Sequence, residues 1–397
     1  MREGWEYKSI GEISSFNRGL TYSAKDEVPA SNNVVLRSNN IDLATNTINF
    51  DELKFISDDI TIPEDKKLKA NTIFMCMSNG SKQHLGKVAF IDKDYPYAFG
   101  GFMGLIIPNS TIIKPKYLYF YFCSPLFKHF LLSIGNGANI NNIKYKDIAK
   151  KSLPVPSLST QESIVSELDK INELISLKKE QLKDYDNLVQ SIFYDMFGDP
   201  VANDKGWDIK KLGEICEFKN GINFSKGESG YRYKFLGVSD FQDNKIVNSN
   251  SLSDIHLNEN ISEEYMLQTG DVVFVRSNGS KELVGRNVLM DIKEPTTFSG
   301  FCIRCRLKGK DFNSVYISYL LKIPSMRPII TNSGRGCNIS NLNQKILNAL
   351  PIIAPPLPLQ QAFAKRIEAI EQQKQLISSE IKDLETLLAS RMQYWFD

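Results

Sequence analysis

Histidine is almost missing from this chain. Only His84, His129 and His256 occur in 397 residues, they form no ligand cluster, and they read as structural or surface residues. Cysteine is scarce too, with six spread over positions 76, 123, 216, 302, 305 and 337. Only Cys302 and Cys305 form a CxxC, and a structural zinc normally needs two such pairs. The alternation of "FCIRCRL" also places these two cysteines on opposite faces of a strand, so no metal is expected. No apolar run approaches the roughly 18 residues of a membrane span. The opening "MREGWEYKSI" has no apolar stretch like that of a signal peptide, so a cytoplasmic location is the expectation.

Catalytic signatures are lacking as well. The sequence contains no GxxxxGK[ST] phosphate cradle, no GxSxG and no HExxH. No Asn/Asp-Pro-Pro-aromatic tetrapeptide occurs, which excludes the usual grip of adenine methyltransferases on a flipped base. "FGGFMG" from Phe99 is glycine-rich but does not follow a strand–GxG–helix plan, and it reads as a tight turn between strands. Asp59 and Glu64 read as a solvated charged turn, because the second half of the chain has no counterpart.

What is present is written twice. "SNGSK" occurs from Ser78 and again from Ser277. "GWEYKSIGEISSFNRGLTYS" from Gly4 matches "GWDIKKLGEICEFKNGINFS" from Gly206 at nine of twenty positions. Further along, Gly86 pairs with Gly285, Phe99 with Phe298 and Tyr117 with Tyr316, at a constant offset of 199. A period this long means a duplicated domain rather than a solenoid. Within each copy, β-branched and aromatic runs alternate with Gly, Asn, Asp and Pro, which predicts strands and turns. "PKYLYFYFCSPLFKHFLLSI" and "VYISYLLKIPSMRPIITNS" read as helical, each interrupted by a proline.

After each globule the period changes. Ile164, Leu168, Ile171, Ile175, Leu182, Tyr185, Val189 and Ile192 follow steps of three and four. So do Phe363, Ile367, Ile370, Ile377, Ile381, Leu384 and Leu388. Both stripes fit a coiled-coil seam, which two long helices pairing antiparallel satisfy; the alternative is that each helix packs on its own globule. The antiparallel register brings Lys374 near Tyr185 and Lys178 near Ile381. Ser159 and Glu162 are suited to a capping box at the first helix, and Gly198 with Pro200 to its end. The expected division is residues 1–158, a helix over 159–197, residues 198–356, and a helix over 357–397. The fold class is α+β, two mixed α/β domains separated by two long helices that form an antiparallel coiled coil, with a pseudo-two-fold internal repeat.

Charge follows the same division. Residues 1–158 hold 19 Lys/Arg against 15 Asp/Glu, and residues 198–356 hold 20 against 17. The helices are acidic or near neutral, with 4 against 8 and 5 against 6. Mildly basic globules permit contact with a polyanion without requiring it. The residues suited to that contact are Ser78, Asn79, Ser81 and Lys82, with Lys87 five positions on. Their counterparts are Arg276, Ser277, Asn278, Ser280, Lys281 and Arg286. Hydroxyls and lysine suit phosphates, while Asn and Arg suit base edges. The plain alternative is that SNGS is a hairpin turn. Arg18, Lys219 and Arg335 lie beside glycines in equivalent or similar settings, and Arg304 and Arg306 share one strand face.

The doubled "GW…LGEI" opening, the strand–SNGS–GK/GR segments, and the "LPVPSLSTQ" and "PPLPLQQ" lead-ins to long helices together resemble the specificity subunits of type I restriction–modification enzymes, over essentially the whole chain. The resemblance implies two target-recognition domains, each reading half of a split site in double-stranded DNA. It implies two methyltransferase subunits docked on the helices and globules, and two translocase–nuclease subunits in a restriction complex. S-adenosylmethionine, ATP and Mg would sit on those partners, and this chain would be non-catalytic. A self-contained methyltransferase or nuclease with divergent motifs, and a helix-based protein adaptor, stay open at this point. If the helix pair acts as a ruler, deleting one heptad from each helix shortens the gap between modified half-sites. Sequencing of modified adenines checks this, and an unchanged gap ends the ruler idea.

Overall fold

The computed structural model describes residues 4–81, 84–134, 142–224, 229–241, 246–277, 279, 282–331 and 341–397. Two compact units emerge, Met1–Lys179 with Ser379–Asp397, and Glu180–Ser378. Each therefore combines one globule with parts of both long helices.

The first unit runs β1 (Glu6–Ser9), α1 (Ile10–Ile13), β2 (Ser14–Arg18), β3 (Glu27–Val28), β4 (Asn33–Leu36), β5 (Lys54–Ile56), β6 (Thr72–Cys76), β7 (Val88–Ile91), β8 (Ala98–Phe99) and β9 (Met103–Pro108). Then follow α2 (Pro115–Cys123), α3 (Pro125–Ile134), α4 (Tyr145–Ala149), β10 (Ser152–Val155) and the long α5 (Leu158–Phe197), whose first half belongs here. One sheet has the order β2-β9-β6-β7 and a second the order β3-β5-β4-β8. The strand β6 explains why both are needed. Its "TIFMC" is buried throughout, with Ile73 and Met75 entering the core under the helices and Phe74 and Cys76 entering a second core on the other side. A run that is apolar at every position needs cover on both faces. The proline interruption falls where expected: α2 stops at Cys123 and α3 starts at Pro125.

The second unit repeats the plan with β11 (Ile209–Lys211), α6 (Leu212–Ile215), β12 (Cys216–Asn220), β13 (Tyr231–Leu236), β14 (Ile246–Asn248), β15 (Ser253–Leu257), β16 (Val272–Val275), β17 (Asn287–Asp291), β18 (Thr296–Phe298) and β19 (Cys302–Leu307). It continues through α7 (Ser314–Leu320), α8 (Met326–Thr331), α9 (Gln344–Ala349), β20 (Pro351–Ile353) and α10 (Leu357–Phe396), of which only the first half belongs here. Its sheets are β12-β19-β16-β17-β14 and β15-β13-β18. Here β16 divides its side chains as β6 does, Val272 and Phe274 to one core, Val273 and Val275 to the other. Cys302 and Cys305 do enter opposite cores. The five described cysteines are buried and free, and the described residues hold no cluster of His, Cys, Asp and Glu suited to a metal.

The long helices begin and end on specific chemistry. Gly198, with φ of 74°, closes α5, and its amide donates to the Tyr194 carbonyl at 2.8 Å. The start differs from the expected capping box. Ser157 is the cap, its hydroxyl accepting from the Thr160 amide at 3.3 Å. The helix opens at Leu158, so Ser159 already lies inside the first turn, and Glu162 instead pairs with Lys114 at 2.7 Å.

Within the first unit, α5 and the last turns of α10 pack antiparallel: Glu167 meets Arg391, while further along α5 Lys178 meets Glu380, an earlier residue of α10. Ile164, Leu168, Ile171, Ile175 and Ile381 are buried there, whereas Leu384 and Leu388 are half-buried. In the second unit the same sense recurs, with Lys374 donating to Asp186 at 2.9 Å. Val189, Phe363, Ile367, Ile370 and Ile377 are buried in it, and Leu182, Tyr185 and Ile192 are half-buried.

Toward each helix C-terminus the contact face moves off the sequence-defined stripe. In the second unit it passes to Phe193 and Phe197, and in the first to Met392 and Phe396. An α-helix drifts about 20° per heptad from a 3.5-residue repeat, and these ends meet a domain core rather than a helix alone. Phe396 lies edge-on to Tyr117 at 5.1 Å and to Tyr121 at 5.6 Å. Phe197 meets Tyr316 at 4.8 Å and Phe363 at 5.4 Å. Each domain core is thus finished by the start of one long helix and the end of the other.

Magnitudes rank these contacts. A half-exposed ion pair contributes about 0–1 kcal/mol, whereas removing a buried phenylalanine ring costs about 3–5 kcal/mol. Phe396→Ala is therefore expected to lower stability by about 3–5 kcal/mol in urea denaturation, and Glu167→Gln by no more than about 1 kcal/mol. Hydrogen bonding from Arg391 holds the Glu167 carboxyl below its ordinary value near 4.5, despite partial burial. Its contribution is complete above that value and fades as pH falls through the lowered one, so the difference between wild type and Glu167→Gln should vanish in acid titrations of stability.

Candidate nucleic-acid interface

In the first unit, three of the sequence-selected residues converge on one cleft of about 720 Å³. Arg18 ends β2, and Ser78 and Asn79 follow β6. The strand pairing Phe16–Ile106 and Ile73–Ile106 brings β2 and β6 to either side of β9, which is why residues sixty apart share a rim. The SNG segment is a turn held by its own side chains: the Ser81 amide donates to Asn79 Oδ1 at 2.9 Å, and Asn79 Nδ2 donates to Ser38 Oγ at 2.9 Å. Turn geometry and a presented polar surface coincide here. Ser81 is exposed, and Lys82 lies outside the described residues.

The cleft also contains Arg37, Ser38 and Asn39, which the sequence reading did not select. A signal was available, since the tripeptide RSN of Arg37–Asn39 recurs at Arg276–Asn278. Arg37 Nε is buried and has no hydrogen-bond partner among the described residues. Asn39 Nδ2 donates to Glu52 at 3.0 Å, and Arg18 Nε donates to the Gly101 carbonyl at 3.3 Å. Two guanidiniums, two carboxamides and two serine hydroxyls line one opening. That set can donate to phosphates and can pair with the edges of guanine and adenine.

Other selected residues have different work. Lys87 is buried, and its ammonium donates to the Ile41 carbonyl at 2.8 Å. Burial pushes its pKa down, with Cys76 and Asp42 pulling the other way. It ties the segment before β7 to the loop after β4. Arg304 is 1% exposed; it donates to the carbonyls of Glu264 at 2.8 Å and Met266 at 3.4 Å, and to Glu217 at 3.2 Å. Arg306 grips Asp271 with two bonds of 2.8 and 2.7 Å. The two arginines do share a strand face, and in this structure that face clamps residues 264–271.

In the second unit, Arg276 and Ser277 occupy the positions after β16 that Met77 and Ser78 occupy after β6. Ser277 bridges Asn341 as Ser78 bridges Asn142. Lys219 is engaged with Glu264 at 2.6 Å and lies 4.6 Å from the Tyr265 ring centre. Arg286 donates to the Glu282 carbonyl at 3.3 Å and lines a cavity of about 250 Å³ beside Arg327 and Lys322. Asn278, Ser280, Lys281 and Arg335 lie outside the described residues.

Comparison with known proteins agrees with this doubled plan. The pattern of the type I restriction modification DNA specificity domain matches residues 2–184 and again 204–386. The type I restriction enzyme StySPI specificity subunit of Salmonella potsdam is 26% identical over 98% of this chain and 87% of its own length. The EcoKI specificity subunit of Escherichia coli strain K12 is 25% identical over 93% of this chain and 82% of its own. Two solved structures share the fold. One comes from work on complex assembly and conformational transition of the type I R-M system, with TM-score 0.59, 17% identity, and 99% of this chain and 97% of that chain covered. The other is the type I S subunit of M. genitalium, with TM-score 0.52, 14% identity, and 99% and 96% covered. Duplicated domains, paired long helices and a family pattern spanning nearly the whole sequence lead to one conclusion: this chain belongs to the type I restriction–modification specificity subunits, the non-catalytic members that give the enzyme its DNA specificity.

Proposed function

We propose that this chain reads a bipartite duplex target, one half through each unit, and that it docks two methyltransferase subunits which modify adenine in that target. The observation that carries the reading of bases is the convergence of Arg18, Arg37, Ser38, Asn39, Ser78 and Asn79 on one cleft. Specific contacts of Arg with guanine and Asn with adenine are worth about 1–3 kcal/mol each. A cleft with both residue types suits sequence discrimination more than general phosphate binding.

Docking of protein partners is supported by apolar side chains left open on the helices. Leu174, Leu177 and Leu387 are exposed in the first unit, and Leu188 and Leu376 in the second. Leu177 and Leu376 are repeat equivalents, as are Leu188 and Leu387. Exposed leucine repeated on a helix that already has one buried face suits a second protein surface. The transferred methyl group would come from S-adenosylmethionine on the methyltransferase subunits, and translocation and cleavage from restriction subunits using ATP and Mg. The described residues contain no helix long and apolar enough to cross a membrane.

The test is methylation by the complex of this chain with its methyltransferase, followed by mapping of modified adenines. Two fixed half-sites separated by a constant gap are expected, and random or single-site modification overturns the proposal. Arg18→Ala and Asn79→Ala should each weaken binding to one half-site by about 1–3 kcal/mol. Exposed Arg18 is expected to leave stability within about 0.5 kcal/mol. Arg304→Ala should do the opposite, lowering stability by about 1–3 kcal/mol because the Glu264 and Met266 carbonyls lose a buried donor.

A further inference from the structure

Phe102 is 71% exposed, more than any other large apolar side chain among the described residues. Phe301, its repeat equivalent 199 positions on, is 57% exposed. Three residues earlier in each copy, Phe99 and Phe298 are fully buried, so neither exposure reflects a loose strand end. The flanking residues differ between the copies, "GGFMGLII" against "SGFCIRCR", yet the ring is outside in both.

The backbone beneath each ring is fixed. In the first unit, the Met77 and Ser78 amides donate to the Phe102 carbonyl at 2.9 and 3.1 Å, and the Met103 amide closes the turn on Gly100 at 2.8 Å. In the second, the Arg276 amide donates to the Phe301 carbonyl and the Cys302 amide to Ser299, both at 2.8 Å. Gly19 and Gly221 press so closely on these turns that a β-carbon on either would collide with backbone carbonyls. The ring therefore projects from a turn tied to the start of the SNG segment. In the first unit it shares the cleft with Arg18, Arg37 and Asn79.

An exposed aromatic on a fixed turn, in a cleft whose lining combines Arg18 and Arg37 with Asn39, Asn79, Glu27 and Glu52, suits a ligand with flat apolar faces and hydrogen-bonding edges. Stacked bases in a phosphate backbone have those properties, and apolar wedges enter duplexes by partly unstacking a base step. We propose that Phe102 and Phe301 are paired wedges, each inserting at its own half-site and stacking on the face of an opened base. This rests on the bipartite reading above and adds a mechanism to it.

The experiment uses the full chain with its methyltransferase subunits and duplexes carrying 2-aminopurine at successive positions of each half-site. Binding of the wild-type complex should raise fluorescence at one step in each half. Phe102→Ala should abolish the rise in one half-site only and weaken binding about tenfold to hundredfold. Phe301→Ala should do the same in the other half, and Phe102→Trp should restore the signal. If Phe102→Ala binds and reports like wild type while the two-part site is still methylated, the wedge is overturned and the bipartite reading stands. If Phe102→Ala fails to co-purify with the methyltransferase, the ring belongs to a protein contact and the wedge is equally overturned. If the wild-type complex shows no two-part site, both readings fail together.

Discussion

The architecture depends on aromatic packing where the long helices end. Phe197 and Phe396 are repeat equivalents, and each inserts beside an equivalent tyrosine, Tyr316 or Tyr117. Ion pairs such as Lys178–Glu380 and Lys374–Asp186 decorate the same helices and define which residues face each other. They are half-exposed and individually weak, so they select register while the rings supply stability. A domain whose core is completed by two different helices cannot shift along either without uncovering apolar surface. That requirement makes the helices part of the recognition domains and not merely their connection.

The same residue type serves two purposes in these domains, and burial separates them. Arg304 and Arg306 spend their guanidiniums on carbonyls and carboxylates of residues 217 and 264–271, fixing the segment before β16 against the sheet in the second unit. The matching positions of the first unit are Leu105 and Ile107, which pack as apolar residues. One copy covers that strand face with charge and the other with hydrocarbon. Arg18 and Arg37, by contrast, face an open cleft.

Much of the fold was legible because duplication gives every pattern a second reading. The twice-written stripes announced the helices, the breaks before Pro125 and around Pro324 separated the short ones, and Gly198 marked an end. Less legible were features decided by distant partners. Nothing local in "CIRCRL" reveals that Arg304 will find the Glu264 carbonyl forty positions away. Nor does "GKV" reveal that Lys87 reaches the Ile41 carbonyl. Ser159 looked like a cap because its spacing to Glu162 was right; Ser157, two residues earlier, had the hydroxyl that the first turn used. At the cleft, Arg18 and Asn79 were visible in motifs. Arg37 to Asn39 escaped notice because their first-repeat neighbours have no aligned twin, although the RSN spelling recurs elsewhere.

The turn that carries Phe102 is secured through its main chain: carbonyl and amide contacts hold it, and glycine contacts crowd it from below. Its side chain contributes little to keeping the turn in place. A codon change there alters what the surface offers without disturbing the scaffold. On the wedge proposal, such a socket lets preference for new sequences emerge one substitution at a time.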